Sequence, residues 1–163
     1  MATQTSYRPP ATIALRVLLT LVGAAGLIIG AFLDWLKGAG PTHGTDVGAN
    51  IFWSTNPSSD PNFLASAGFI TIVIGLVAIL GLAMRTGVLT RLAGAVGIVA
   101  FILFVITLYR VKGVNLGIDD VDIGMWLVLV GGVLALIGGF FGNRAVMTTT
   151  AAPMAAGPPP PPA

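Results

Sequence analysis

Two long apolar runs are joined by a short stretch in the middle of the chain, and this pair constrains the fold more than any other feature. The runs are residues 63–84 and 92–109, and the connecting residues 85–91 begin with Arg85 and end with Arg91. Apolar helices of about 20 residues can cross a hydrocarbon core of about 30 Å. Because the connection is so short, the two helices must be antiparallel neighbours. The sequence therefore predicts a membrane-spanning helical hairpin.

One further apolar run lies on each side of this hairpin, at residues 13–36 and 123–141. Only 9% of the residues are charged, whereas soluble domains have about 25%, so the chain could not cover a soluble surface. A cleaved signal peptide at residues 13–36 is disfavoured because its apolar stretch exceeds the usual core of about 7–15 residues. The predicted fold class is an all-α membrane protein, a bundle of four transmembrane helices with outer loops at residues 37–62 and 110–122.

The two ends of the chain do not resemble membrane spans. Residues 1–12 are polar and predict a short disordered arm. Residues 142–163 end in five consecutive prolines, which favour extended polyproline II and cannot pack a core. We expect a disordered proline-rich tail, with a docking site for a proline-binding groove as the alternative. The first outer loop contains one apolar patch, residues 49–53, which we expect on the membrane surface or across the mouth of the bundle.

Charged residues divide unevenly between the two sides of the predicted bundle. One side carries arginines and no acid: Arg8, Arg16, Arg85, Arg91 and Arg144. The other side carries every aspartate of the chain together with three bases: Asp34, Asp46, Asp60, Asp119, Asp120 and Asp122, with Lys37, Arg110 and Lys112. The positive-inside rule places the arginine side in the cytoplasm. The sequence thus predicts a multi-pass protein of the cytoplasmic membrane, with both termini in the cytoplasm and with Arg85 and Arg91 as topology determinants.

Aromatic and small residues recur at particular depths of the predicted spans. Aromatic side chains fall at or beyond the outer boundary, where an interfacial belt is expected: Trp35, Trp53, Tyr109 and Trp126. Small residues form a stripe in each span: Gly23, Gly26, Gly30, Gly68, Gly75, Ala93, Gly97, Gly131, Ala135 and Gly138. Such stripes let helix backbones approach closely in lipid. They predict packing within the bundle or contact with another subunit.

Asp34 is the candidate site residue. Ionisable side chains inside membranes usually mark ion or proton pathways, and Asp34 lies near the outer end of the first predicted span, one turn after Gly30. One hypothesis is a proton or cation site at the outer mouth of the bundle. The alternative is a hydrated carboxylate, or one that is paired with Lys37 or Arg110.

Other residues offer little chemistry. The chain has no cysteine, which excludes disulfides, thiolate catalysis and cysteine metal sites. His43 and Asp46 could supply two metal ligands, but nothing completes the set. The aspartates near residue 120 lack the spacing of a calcium loop. Since His43 is the only histidine, no Ser/His/Asp set is available. We expect neither an enzyme, nor a metal, nor a cofactor.

The stretch Arg85–Ala100, together with residues 32–35 and 131–139, resembles the small four-span membrane proteins of actinobacteria. The resemblance implies the four-span fold. Some of these proteins are labelled as sugar:proton symporters. This chain has no acid at mid-depth and far fewer spans than a typical symporter, so no functional residue is carried over.

Two functions remain open from the sequence. The first is a non-catalytic accessory or assembly component of a membrane complex, associating with a membrane-protein partner or with itself, in the lipid bilayer and without nucleic acid. The alternative is a small homo-oligomeric transporter or channel with Asp34 at its outer mouth. The Leu-Val-Gly of residues 21–23 recurs at residues 129–131 in a helix of opposite direction, and an inverted repeat would favour transport.

Overall fold

The computed structural model describes residues 10–38, 43–54, 62–84, 87–110 and 118–141. These residues form four α-helices and three short 3₁₀ helices: α1 Pro10–Phe32, α2 Ala67–Ala83, α3 Val88–Arg110 and α4 Ile123–Phe140, with 3₁₀ turns at Ala49–Phe52, Phe63–Ala65 and Ile118–Asp120. Helices α1, α3 and α4 are long and apolar enough to cross a membrane, whereas α2 is apolar but has only 17 residues. The all-α prediction is confirmed, and three helices of spanning length indicate a multi-pass membrane protein.

Several predicted segments lie wholly or partly outside the described residues. Outside are the N-terminal arm up to residue 9, Arg85, and the proline-rich tail 142–163. Parts of both predicted outer loops, at residues 39–42, 55–61 and 111–117, are outside as well.

The four helices form a closed ring in which each helix packs against the helices before and after it in the chain. Helix α1 contacts α2 and α4, α3 contacts α2 and α4, and the diagonal pair α1 and α3 barely touches. This is the up-down-up-down arrangement of a four-helix bundle with short connections. We call the end that carries Asp34 the cap end, and the opposite end, which carries Arg16 and Arg91, the arginine end.

The helix ends differ from the predicted spans in four places. Helix α1 starts at Pro10 rather than at residue 13, so residues 10–12 of the predicted disordered arm are helical. Helix α1 stops at Phe32 rather than at residue 36, because the next residues bridge to other loops, including Leu36 to Val121. Helix α2 starts at Ala67, where the Ser66 hydroxyl caps it by accepting from the Phe69 amide at 3.1 Å. Helix α3 starts at Val88 rather than at residue 92, which places Arg91 in its first turn.

The outer surface of the bundle is apolar. Each α-helix turns large side chains outward, for example Leu18, Leu80, Leu92 and Val130, all more than half exposed. Soluble monomers rarely expose contiguous apolar surface on this scale. Inside the ring, Leu27, Phe104 and Val128 are completely buried. The bundle therefore has the surface expected of a protein surrounded by lipid.

The hairpins α1–α2 and α3–α4 repeat one pattern of buried positions. At one constant offset, the buried residues of α1 correspond to buried residues of α3: Thr20, Gly23, Ala24, Leu27, Gly30 and Ala31 to Thr90, Ala93, Gly94, Gly97, Ala100 and Phe101. At a second constant offset, those of α2 correspond to those of α4: Ala67, Gly68, Thr71, Ile74, Gly75, Ala78 and Gly81 to Gly124, Met125, Val128, Gly131, Gly132, Ala135 and Gly138. The same spacing also relates α1 to α2, because Gly23, Ala24, Leu27, Gly30 and Ala31 match Ala67, Gly68, Thr71, Ile74 and Gly75. It is the spacing at which each helix of a bundle turns one face inward.

Candidate functional site

The small residues predicted to mediate packing lie mostly in helix contacts. The most extensive is the seam between α1 and α4, where Gly23 and Gly131 face each other. A Cβ added to Gly23 would lie 2.7 Å from the Gly131 carbonyl oxygen, and one added to Gly131 would lie 2.6 Å from the Gly23 carbonyl oxygen. Since these neighbours are backbone atoms, only glycine allows this separation. The two Leu-Val-Gly segments, residues 21–23 of α1 and 129–131 of α4, thus end at facing glycines of the same seam.

The remaining small residues occupy other contacts. Gly26 and Gly30 continue the α1–α4 seam, against Gly131 and Gly124 respectively. The others are distributed as follows: Gly75 lies against Ala24 and Ile28 of α1, Gly97 against Leu27 and Gly132, Gly138 against Thr20, and Ala93 and Ala135 are buried. Gly68 differs, because it packs on Gly44 and Thr45 of the loop after α1. Its small size serves loop docking rather than helix pairing.

That loop, residues 43–54, lies across one end of the bundle, and we call it the cap. Its Ile51 and Phe52 are buried, and its 3₁₀ turn contacts both α2 and α3. The carbonyl oxygens of Gly44 and Val47 accept from the amides of Gly68 and Ala67 at 2.6 and 2.7 Å. These amides belong to the first turn of α2, and amides of a first turn have no hydrogen-bond acceptor within their own helix. Of the two expected positions for residues 49–53, the structure shows the one across the bundle mouth.

Asp34 lies just beyond α1, beside the cap. Its Oδ1 is 3.1 Å from His43 Nδ1, and both side chains are a little under half exposed. The atoms are close enough for an ion pair when the imidazole is protonated, although the enclosed Nδ1 is not aligned for a hydrogen bond. Lys37, one of the partners considered for Asp34, donates instead to the Asp119 carbonyl oxygen at 2.9 Å. The Asp34–His43 pair therefore joins the cap to the end of α1.

The chemistry available at this pair is limited. A metal site needs more ligands than one imidazole and one carboxylate, and the described residues contain no group of three His, Cys, Asp or Glu side chains that could hold a metal ion. Asp34 also sits at the end of the bundle, past the last turn of α1. The pair is a contact at the bundle mouth, and it does not reach mid-depth.

Trp35 was predicted in the interfacial belt, and this prediction is wrong. The indole is completely buried, its Nε1 donates to the Gly30 carbonyl oxygen at 2.9 Å, and it meets Phe104 edge to face at 5.2 Å. The cause is the early end of α1, which lets the chain fold Trp35 back under Gly44. The other belt residues, Trp53, Tyr109 and Trp126, are exposed near the cap end, and their belt role stays a prediction.

At the arginine end, two guanidinium groups bind the carboxyl ends of helices. Arg91 donates to the carbonyl oxygens of Gly139 at 2.9 Å and Phe140 at 3.4 Å, and it stacks 4.7 Å above the Phe140 ring. Arg16 donates to those of Gly81 at 3.2 Å and Met84 at 2.6 Å. Terminal carbonyls lack partners within their own helix and carry the negative end of its dipole. Arg91 was predicted only as a topology determinant, and Arg16 only as one of the bases on the cytoplasmic side.

A sequence signal for these caps does exist. In an antiparallel hairpin, the start of the first helix lies beside the end of the second. An arginine in the opening turns of α1 or α3 can therefore reach the last carbonyls of α2 or α4. From the sequence, α3 was predicted to start at residue 92 rather than at Val88. Arg91 was therefore assigned to the connection, and its position in the first turn of α3 was not recognised.

The interior of the bundle, as far as the structure describes it, is almost entirely apolar. In the described part of the chain, the only buried polar side chains are hydroxyls: Thr20, Ser66, Thr71, Thr90 and Thr107. Thr71 donates to the carbonyl oxygen of Gly68 at 2.8 Å, and Thr90 approaches that of Ala78 at 3.4 Å. Hydroxyls that bond to helix carbonyls are occupied. In the described part of the chain, no charged side chain lies inside the ring of helices.

A shallow apolar groove runs along the outer side of the α1–α4 seam. Its volume is about 270 Å³. The lining is entirely apolar: Val22, Ala25, Gly26, Ile29, Leu127, Val130, Gly131 and Leu134. The groove exists because the glycines at its floor have no side chains.

Comparison with known proteins gave no match: no family model covers the chain, and no curated protein or solved structure is significantly similar to it. The resemblance to four-span actinobacterial proteins stays an expectation from the sequence. Function is therefore inferred from the chain's own residues.

Proposed function

We propose that this chain is a non-catalytic integral membrane protein that serves as an accessory or assembly component of a membrane complex. It would span the cytoplasmic membrane four times, with α2 as the fourth span. The 17 residues of α2 cover about 26 Å, and the 3₁₀ turn Phe63–Ala65 adds about 6 Å. Together they match a hydrocarbon core of about 30 Å.

The orientation follows from the two ends of the bundle. Arg16 and Arg91 lie at one end, and Lys37 and Arg110 lie at the other with Asp34, Asp46 and Asp119. With Arg8, Arg85 and Arg144, the sequence gives five bases on the first side and three on the second. The positive-inside rule places the arginine end in the cytoplasm, so that both termini are cytoplasmic and the cap faces outward.

One observation carries the accessory function: the inside of the bundle is closed by backbone contacts between glycines, while large apolar side chains point outward. The described interior offers no ionisable group and no polar cluster to bind a solute. Interaction is left to the lateral faces, which contact lipid or another membrane protein. Such a protein would act through the membrane protein that binds to its lateral faces.

Co-purification tests this proposal. The tagged chain is extracted in mild detergent, and the masses of the purified particle and of its components are determined. We expect a second membrane protein in fixed stoichiometry with the chain. Recovery of the chain as a pure homo-oligomer would contradict the accessory function.

A small homo-oligomeric transporter is the second candidate, because an ionisable pair, Asp34 and His43, lies at the mouth of the bundle. Since the described interior of each bundle is apolar, a path would have to run between copies, with Asp34 at its outer mouth. Ion or solute flux in liposomes discriminates the two functions. A transporter loses flux in Asp34→Asn and retains it in the control Asp46→Asn, whereas an accessory protein shows no flux in either case.

A further inference from the structure

The positive charge of the arginine end is not balanced by any acid of the chain. Arg16 and Arg91 lie at this end, and Arg8, Arg85 and Arg144 flank it in the sequence. The sequence contains no aspartate or glutamate before residue 34, between residues 60 and 119, or after residue 122, and the acids that it does contain belong to the cap end. Negative charge that balances the arginine end must therefore come from outside the chain.

Arg91 presents one edge of its guanidinium group to such a charge. Its Nε and Nη2 donate to the carbonyl oxygens of Gly139 and Phe140, and the Phe140 ring covers one face of the group at 4.7 Å. A guanidinium has five N–H donors, so donors on Nη1 and Nη2 remain without an acceptor among the described residues. Because the bound edge and the stacked face fix the plane of the group, the remaining edge is held in place for an acceptor such as phosphate.

The helix ends beside Arg91 leave its charge in place. The last carbonyls of α4 carry about half a negative charge, and the first amides of α3, where Arg91 lies, carry about half a positive charge. These two partial charges roughly offset each other. The full charge of the guanidinium therefore remains available at this corner of the bundle.

The depth of Arg91 identifies the source of the anion. Helix α3 begins at Val88 and α4 ends at Phe140, so both helix ends lie at the membrane boundary in the four-span arrangement. Phospholipid headgroups place their phosphates at this depth, and basic sites between transmembrane helices bind anionic headgroups on the cytoplasmic side. The Phe140 side chain, which is 63% exposed, lies where an acyl chain of the same lipid would pass.

We propose that Arg91 and Phe140 form a binding site for one anionic phospholipid of the leaflet at the arginine end. The phosphate accepts from the free edge of Arg91, and an acyl chain lies beside Phe140. A headgroup without a cation of its own is preferred, because it supplies the negative charge that this end lacks. The inference rests on the four-span arrangement proposed above and not on the accessory role.

Lipid titration of the purified full chain in detergent tests the site. Phosphatidylglycerol or phosphatidylcholine is added, and the bound lipid is counted by native mass spectrometry. We expect tighter binding of phosphatidylglycerol, and about fivefold weaker binding of it by Arg91→Gln, since one basic residue near an anionic headgroup contributes about that factor. The matched control is Arg110→Gln, which removes the same charge at the cap end and should bind phosphatidylglycerol as the wild type does.

Three results would overturn the proposal. They are equal binding by Arg91→Gln and the wild type, an equal loss in Arg91→Gln and Arg110→Gln, and displacement of the lipid by inorganic phosphate at constant ionic strength, which would assign the site to a free anion. If Arg91→Gln does not unfold cooperatively, Arg91→Lys replaces it. A single ammonium cannot face α4 and a headgroup on opposite edges, so its binding should be at least about twofold weaker. The titration needs no protein partner, so its outcome is independent of the co-purification.

Discussion

Substitution of Gly131 by alanine tests whether backbone contact holds the bundle together. The new Cβ would lie 2.6 Å from the Gly23 carbonyl oxygen and 2.8 Å from the Leu27 amide nitrogen. These atoms cannot rotate away, so α1 and α4 must separate. Overpacking of this kind costs about 1–3 kcal/mol, and the better helix propensity of alanine returns about 1 kcal/mol. We expect Gly131→Ala to lower the free energy of unfolding by up to about 2 kcal/mol.

Gly97→Ala is the matched control, because it makes the same chemical change in another buried helix position. Its Cβ would first meet the Leu27 Cδ2 methyl at 3.0 Å, the end of a flexible side chain. The propensity gain then roughly offsets the small adjustment, and stability stays near wild type.

The assay is reversible unfolding in mixed micelles by titration with a denaturing detergent, followed by tryptophan fluorescence. Gly131→Ala should unfold earlier than Gly97→Ala, and the larger Gly131→Leu should fail to fold. Equal stability of the two alanine variants would refute the claim that close glycine contact closes the α1–α4 seam.

Two further predictions concern single contacts. Arg91→Lys keeps the charge but loses the planar group that reaches two carbonyls. We expect unchanged topology and a free energy of unfolding lower by about 1 kcal/mol, which is measured as a lower thermal midpoint in detergent. A midpoint equal to that of the wild type would exclude the capping role. Leu36→Cys/Val121→Cys should form a disulfide under mild oxidation, because the two residues are bridge partners, and a gel shift on reduction detects it. Absence of the cross-link would contradict the position of Leu36 beside the start of α4.

The sequence predicted which segments are helical, but not where the helices end. In a membrane, the backbone amides and carbonyls of a long apolar run can form their hydrogen bonds within the segment only if it is helical. The four helices therefore follow directly from the four apolar runs. The ends depend on contacts between distant residues: Trp35 leaves α1 to bond Gly30 and pack on Phe104, and Arg91 caps α4. Apolar runs carry no amphipathic pattern to mark such boundaries.

The candidate site was predicted only in part. Asp34 was recognised as the interesting carboxylate, but its partner His43 depends on how the cap docks, which no local pattern encodes.

Accessibility of single cysteines tests the central claim, that the chain crosses the membrane four times. The cysteine-free chain accepts Asp46→Cys, Asp119→Cys and Ala163→Cys as separate variants, labelled in intact cells with a thiol reagent that cannot cross the membrane. Asp46 and Asp119 are both exposed at the cap end. Four spans predict labelling of residues 46 and 119 from outside, and labelling of residue 163 only after permeabilisation. If α2 does not cross, residues 46 and 119 lie on opposite sides, and labelling of only one of them from outside would contradict the account.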